Sequence, residues 1–275
     1  MSATDPKALA QELLSAYARA QIIAVPPSAR DAGFDLASGY AVEAELTRLR
    51  RASGRTTVGW KVGYANKALW RVLKLDTLVW AHMYDDTVRF AEANDATLSV
   101  GNMCSPKIEP EIVFKLKQPL SGGALDPAAV LQEVEWLALG FEIIDCVYAG
   151  WKYQPADFVA AYGLHVALVV GEPRRVEPER IPNLVDQLPR FKVSLFRNGQ
   201  LVEEGSGRNS LRSPALCLAE LASAISRQSD TEPLATGDLV SSGTLTESRP
   251  ITPGEMWTVV LEGLELPDLT LRTTP

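Results

Sequence analysis

Cysteine is scarce in this chain. The 275 residues contain three, Cys104, Cys146 and Cys217, far apart and with no C-x-x-C pair. Neither a disulfide framework nor a zinc site is expected from them. Long apolar runs are missing too: stretches such as Val166–Val170 fall far short of the roughly 20 residues a membrane span needs. Lysine and arginine form no block, and with 34 acids against 27 bases the formal charge is −7. That balance argues against nucleic acid or an anionic membrane as the main partner. Neither a G-x-G-x-x-G nor a Walker pattern occurs, so no nucleotide cofactor is implied. The start, "MSATDPKALAQELL", carries acids and no charged-then-apolar leader, so no signal peptide is expected and a cytoplasmic location is. Strands and helices do not alternate regularly, which excludes a parallel doubly wound sheet.

What is present divides near residue 80. In the first part, Leu9, Leu13 and Tyr17 recur at helical spacing behind Thr4, a candidate cap, and Pro6. "VPPSARDAGF" reads as a linker. A second helix carries Leu36, Tyr40, Leu46 and Leu49 and closes at Gly54. "TVGWKVGY" reads as a short strand and "NKALWRVLKL" as a short helix that Asn66 caps. Residues 1–80 are therefore expected to form a helical N-terminal region and residues 81–275 a β-rich catalytic domain. In the second part "KIEPEIVFKL", "WLALGFEIIDCVY", "LHVALVVG", "FKVSLFRNGQLVEE", "GDLVSSGTLTE" and "MWTVVLEGL" read as strands. Asn198-Gly199 marks a hairpin, and Asp126-Pro127 and Ser213-Pro214 start two helices. The fold class is α+β, a small helical part followed by a mostly antiparallel or mixed sheet structure.

"SPKIEPEIVFKL" places Glu109 and Glu111 two apart in a strand. Side chains two apart share a face, so the acids project together while Ile108, Ile112, Phe114 and Leu116 face the other way. Like charges that close repel, more strongly as the dielectric falls. Either both point into water or a cation sits between them. Lys115 shares the face but lies too far along to neutralise both. A third acid, Glu142, sits in the apolar run "LGFEIIDCV", where an unpaired carboxylate is expensive. Three carboxylates make an all-oxygen site, suited to Mg²⁺ or Mn²⁺ rather than zinc.

The order "VGWKVGYANK", "IEPEIVF", "GFEIID" resembles the fumarylacetoacetate hydrolase superfamily, and within it the branch of 2-keto-4-pentenoate hydratases and 4-oxalocrotonate decarboxylases. The resemblance extends to "IAVPPSAR…GYAVEAELTR" and "SSGTLTESRPITPGEMWTVVLEGL", nearly the whole chain. It implies a mixed β-roll, a homo-oligomer, and Mg²⁺ or Mn²⁺ held by Glu109, Glu111 and Glu142. It implies a lyase that hydrates a 2-hydroxy-2,4-dienoate to a 4-hydroxy-2-oxo acid in aromatic-compound catabolism. An acylpyruvate-type C–C hydrolase or a 2-oxo acid decarboxylase on the same metal site remains open, as does a non-catalytic metal-bound paralogue. By the same resemblance Lys61 binds the substrate carboxylate or donates a proton, and Asp85 shuttles one. His165 stands in the strand that lines the site, as a candidate base. Thr244 and Arg249 contact the substrate, the arginine by holding a distal carboxylate. His82 reads as a core residue. The chain departs from the branch at "AAYGLHVAL" and at Trp60 and Tyr64 beside Lys61, which points to a less polar substrate pocket.

Overall fold

The computed structural model describes residues 4–123, 126–228 and 231–275. Helices come first: α1 (Pro6–Ala18), α2 (Pro27–Arg30) and α3 (Leu36–Ala52). Asp5 rather than Thr4 caps α1, its carboxylate accepting from Lys7 N. Thr4 instead donates from its N–H and its hydroxyl to Asp31, which ties the chain start to the end of α2. The expected linker thus contains α2, seated through Ser28 on the buried carboxylate of Asp157.

Next come β1 (Thr57–Gly63), α4 (Trp70–Leu73), β2 (Val79–Tyr84), β3 (Val88–Phe90), β4 (Asp95–Ser99) and β5 (Pro106–Leu116). After them run α5 (Pro127–Gln132), β6 (Val134–Asp145), α6 (Pro155–Ala160), β7 (His165–Val170), β8 (Arg174–Arg175) and α7 (Ile181–Gln187). The chain ends with β9 (Lys192–Arg197), β10 (Gln200–Ser206), α8 (Pro214–Ser226), β11 (Leu239–Ser241), β12 (Arg249–Pro250), β13 (Met256–Glu262) and β14 (Leu269–Thr274). Asp126 caps α5 through Ala129 N, whereas Ser213 precedes α8 with no side-chain cap bond. No helix among the described residues is long and apolar enough to cross a membrane.

Two mixed sheets form. One runs β2-β1-β11-β5-β6-β7-β3, with β12 added to β5 and β8 to β6; the other runs β10-β9-β13-β14-β4. The edge strands β2 and β3 of the larger sheet are joined by the tight turn Tyr84–Thr87, so that sheet rolls back on itself. Because β1 and β2 lie in this sheet, it crosses the boundary expected at residue 80. The outer face, with Ile108, Ile112, Phe114, Leu139 and Phe141, shares the main core with Val193, Leu195, Trp257 and Val259 of the smaller sheet and with α8. The helices α1, α3 and α6 enclose a second cluster. Inside the roll, Met83, Val113, Ala138, Leu168 and Val170 form a third, small one. The acids face that interior.

Candidate active site

Strands β5 and β6 are antiparallel neighbours in which Glu109 lies opposite Glu142 and Glu111 opposite Gly140. Alternation then puts all three carboxylates on the inner face, each offering an oxygen within 4.8 Å of the others. A Cβ at Gly140 would lie 2.6 Å from the Val113 side chain, so glycine there keeps the space beneath the acids open. Pro110 costs the strand nothing: its carbonyl accepts from Leu245 N, on the side where β11 gives way to β12. A missing N–H is tolerated at such a gap.

The three glutamates are held differently. Glu111 is fully buried; one oxygen accepts from the Ser241 hydroxyl and from Gly243 N (2.8 Å), while Oε1 has no hydrogen-bond partner among the described residues. Glu142, also fully buried, has the Lys61 ammonium 3.2 Å from Oε2 and His165 Nδ1 2.9 Å from Oε1. Glu109 is half-buried. Burial pushes Glu111 well above the ordinary carboxylate range, reinforced by the charges of Glu142 and Glu109. Burial also raises Glu109, to about 7, against the pull of Lys61. For Glu142 burial acts in the same direction, but Lys61 and His165 together outweigh it and hold the group below its usual range. Lys61 is buried as well, and its three acidic neighbours outweigh desolvation and raise its pKa. The ammonium donates to Gly163 O (2.9 Å) and sits 4.9 Å from the Phe158 ring centroid. A Cβ at Gly163, whose φ is +58°, would fall 2.7 Å from Lys61 Cδ.

These donors fit a hard divalent cation. The oxygens are anionic and close together, and a buried carboxylate atom lies without a partner where native folds satisfy nearly all such atoms. A +2 charge would stabilise the two raised acids in ionised form.

Of the residues singled out in the sequence, Lys61, Glu109, Glu111, Glu142 and His165 come together. Asp85 does not: it is exposed in the turn after β2, its carboxylate accepting from Thr56 N. The Thr244 hydroxyl donates to Thr246 O within its own loop. Arg249 is ion-paired with Glu203 and is directed toward Val202 O. That loop reaches the acids through Gly243 N. Both ring nitrogens of His165 are engaged, Nδ1 with Glu142 and Nε2 with the Thr87 hydroxyl (2.9 Å). Trp60 does not line the site, because on β1 it faces opposite to Lys61, into the main core, with its N–H on Asp238. Tyr64 packs tilted against Phe158, with centroids 5.1 Å apart, and so backs the ring beneath Lys61. The reading from sequence missed Ser241, the Gly243 N–H, Gly163 O and Thr87.

Residues 82–270 match the family model described as fumarylacetoacetate (FAA) hydrolase C-terminal. The chain is 28% identical over 229 residues to 4-oxalocrotonate decarboxylase of Pseudomonas sp. (strain CF600), covering 83% of this chain and 82% of the relative. It is 27% identical over 225 residues to 2-hydroxyhexa-2,4-dienoate hydratase of Comamonas testosteroni, covering 82% of each. Among solved structures, 4-oxalocrotonate decarboxylase from Pseudomonas putida G7, complexed with magnesium and adipate, superimposes with a TM-score of 0.87 at 25% identity, over 98% of this chain and 97% of that one. With the family model spanning more than two thirds of the sequence, the chain belongs to the fumarylacetoacetate hydrolase family.

Proposed function

We propose that this protein is a divalent-metal-dependent lyase that adds water to a 2-hydroxy-2,4-dienoate, giving a 4-hydroxy-2-oxo acid. One observation carries the reading: a buried lysine stands against a triad of carboxylates, among them Glu111, whose buried Oε1 has no hydrogen-bond partner among the described residues. The similarity to a dienoate hydratase over four fifths of both chains supports it. Glu109, Glu111 and Glu142 would hold Mg²⁺ or Mn²⁺, which when bound supplies Lewis acidity toward negative charge on a substrate oxygen.

The protein's own groups do the rest. Lys61 stays protonated, since its acidic neighbours raise its pKa, so it acts as an acid and an anchor rather than a base. It is placed to bind the substrate carboxylate or to deliver a proton as the dienol collapses to the ketone. In the net reaction the enol proton leaves the C2 oxygen, C5 and C3 each gain a proton, and water supplies the C4 hydroxyl. His165, engaged at both nitrogens, is a positioning residue that fixes the Glu142 carboxylate and helps keep it ionised. This geometry disfavours a hydrolase in which His165 activates water. Phe158 and Tyr64 exclude water from the Lys61 side.

The second reading is decarboxylation of a vinylogous 2-oxo acid, favoured by the 0.87 superposition on a decarboxylase. One experiment separates the two. Purified protein with Mg²⁺ or EDTA is given 2-hydroxy-2,4-pentadienoate or 4-oxalocrotonate, with products identified by mass and carbon dioxide measured. Metal-dependent hydration without carbon dioxide release establishes the hydratase. Carbon dioxide release from the diacid alone establishes the decarboxylase, and turnover insensitive to EDTA refutes both.

A further inference from the structure

A row of aromatic rings joins two lysines beside the acids. At one end the Lys61 ammonium sits on Phe158. Tyr153 packs against Phe158, with centroids 6.2 Å apart, and Trp151 packs against Tyr153 at 6.4 Å. At the other end Lys107 Nζ lies 3.8 Å from the Trp151 ring centroid. Lys107 stands on β5 two residues before Glu109, so alternation turns it to the same inner face, roughly 6.6 Å along the strand. The two lysines differ in their surroundings. Lys61 is buried and ion-paired with Glu142. Lys107 is half-buried, and among the described residues it has the Trp151 ring but no ion pair. Glu109, Trp151 and Tyr153 are half-buried as well, so this end of the row is the one open to solvent.

The ring over Lys107 is fixed in place. Trp151 has φ +58°, in the left-handed region that bulky residues avoid, directly after Gly150 at +63°. Such a backbone persists only where its surroundings hold it. Trp151 Nε1 donates to Ser105 Oγ (2.7 Å). The N–H groups of Cys104 and Ser105 in turn donate to the Asp145 carboxylate, which is 2% exposed. The segment before β5 and the turn after β6 are thereby clamped together, with the indole held against the lysine. An ammonium resting on a ring still has three N–H groups to give, and none of the described carboxylates pairs with it. Arg249, expected to hold a far carboxylate, is bound to Glu203 instead. Lys107 is left to take that part.

We infer that Lys107 is the specificity residue for the far end of the substrate: the acid this site takes carries a second carboxylate, which lies on the Lys107 ammonium beside Trp151. The inference rests on the proposed function, in either of its two readings, and adds which tail the site selects. The flat carbon chain runs along the aromatic row, and the tail carboxylate gains a charge-assisted hydrogen bond at its end. The test is calorimetric titration, in saturating Mg²⁺, with 2-oxoadipate and 2-oxohexanoate. These acids have the same chain length and differ only in a carboxylate or a methyl group at the far end. The parent should bind 2-oxoadipate about tenfold more tightly, the worth of one hydrogen bond between charged groups. Lys107→Met should bring the two affinities level, and Lys107→Arg should restore the preference. The ratio within each variant is compared because the Lys107 charge, against the rise that burial imposes, also favours ionised Glu109; its loss there weakens both ligands alike. Equal affinity in the parent would overturn the inference and leave the proposed function standing. A preference that survives in Lys107→Met would overturn it too, and make the lysine a latch for Trp151. Failure of both acids to bind the Mg²⁺-loaded parent would overturn the proposed function, and the inference with it.

Discussion

Glu111→Gln separates what the fold needs from what the site needs. The side chain is fully buried, and burial raises its pKa well above the ordinary carboxylate range. Such an acid favours the folded state while protonated, below its unfolded pKa. Stability is then lost as pH rises through the higher folded value. Metal-free parent protein should therefore weaken as pH rises above the ordinary carboxylate range. Glutamine keeps the shape, its carbonyl can accept from Ser241 and Gly243 N, and it carries no charge to desolvate. Replacing a poorly compensated buried ion by a neutral group of equal volume gains about 1–4 kcal/mol. For a chain of this size an unfolding entropy near 2.1 cal/mol/K per residue makes 1 kcal/mol worth roughly 2 °C. In EDTA at pH 8 the variant should melt about 2–7 °C above the parent, and at pH 5 the two should converge. Magnesium closes or reverses the gap. At a hundredfold excess over its dissociation constant, a ligand adds about 2.7 kcal/mol to the parent, roughly 5 °C, and nothing to a variant that has lost a ligand charge. Scanning calorimetry in EDTA and in Mg²⁺ reads both effects. A metal-free variant less stable than the parent at pH 8, or one still stabilised by Mg²⁺, would refute the reasoning.

Other substitutions probe the neighbours. Lys61→Met removes the cation beside Glu142 and is expected to lower kcat by about 10²–10⁴-fold, while the thermal shift caused by Mg²⁺ persists; loss of that shift would make Lys61 a folding residue only. His165→Gln, which can still donate to Glu142, should retain most turnover where His165→Phe loses it, and equal loss in both would return the histidine to the role of base. Gly59→Ala places a Cβ 1.9 Å from Leu239 O, against backbone in the parallel β1–β11 pairing. It should destabilise the fold by more than about 2 kcal/mol, read as a lowered melting temperature, and unchanged stability would mean the pairing is loose.

The acids were legible in the sequence because a strand enforces period two. Once 106–116 is a strand, Glu109 and Glu111 must share a face, and an acid within "GFEIID" needs a partner. The same rule already places Trp60 opposite Lys61, so the expectation that it shapes the substrate pocket misjudged a one-residue alternation. What local pattern does not carry is strand order. Ser241 and Gly243 lie 130 and 132 residues from Glu111 and meet it only because β11 is inserted beside β5. Two of the missed groups, Gly163 O and Gly243 N, are backbone atoms and leave no residue-type signature. β2 escaped notice because all six of its residues are buried, so it shows no alternation. Asp85-Asp86 reads equally as a turn or as an acidic pair. The turn won, with Asp85 bonded to Thr56 N and Asp86 paired with Arg50 and Arg55.

Three chemically identical side chains within 4.8 Å thus titrate apart, and the reason is positional. Glu142 lies between two donors from β1 and β7, so its proton is displaced before any metal arrives. Glu111 has only neutral donors and Glu109 is raised to about 7. A divalent ion must therefore expel protons from Glu109 and Glu111 but not from Glu142. Below about pH 7 the ion competes with the Glu109 proton, and affinity should fall up to tenfold per pH unit for each proton displaced. Mn²⁺ titration between about pH 6 and 8, with proton release measured by varying the buffer's ionisation enthalpy, reads this directly. Glu109→Gln should weaken binding at pH 8 and flatten the slope by about one proton. Binding independent of pH across that interval would mean that the acids are already ionised in the free protein, and that Lys61 alone neutralises the cluster.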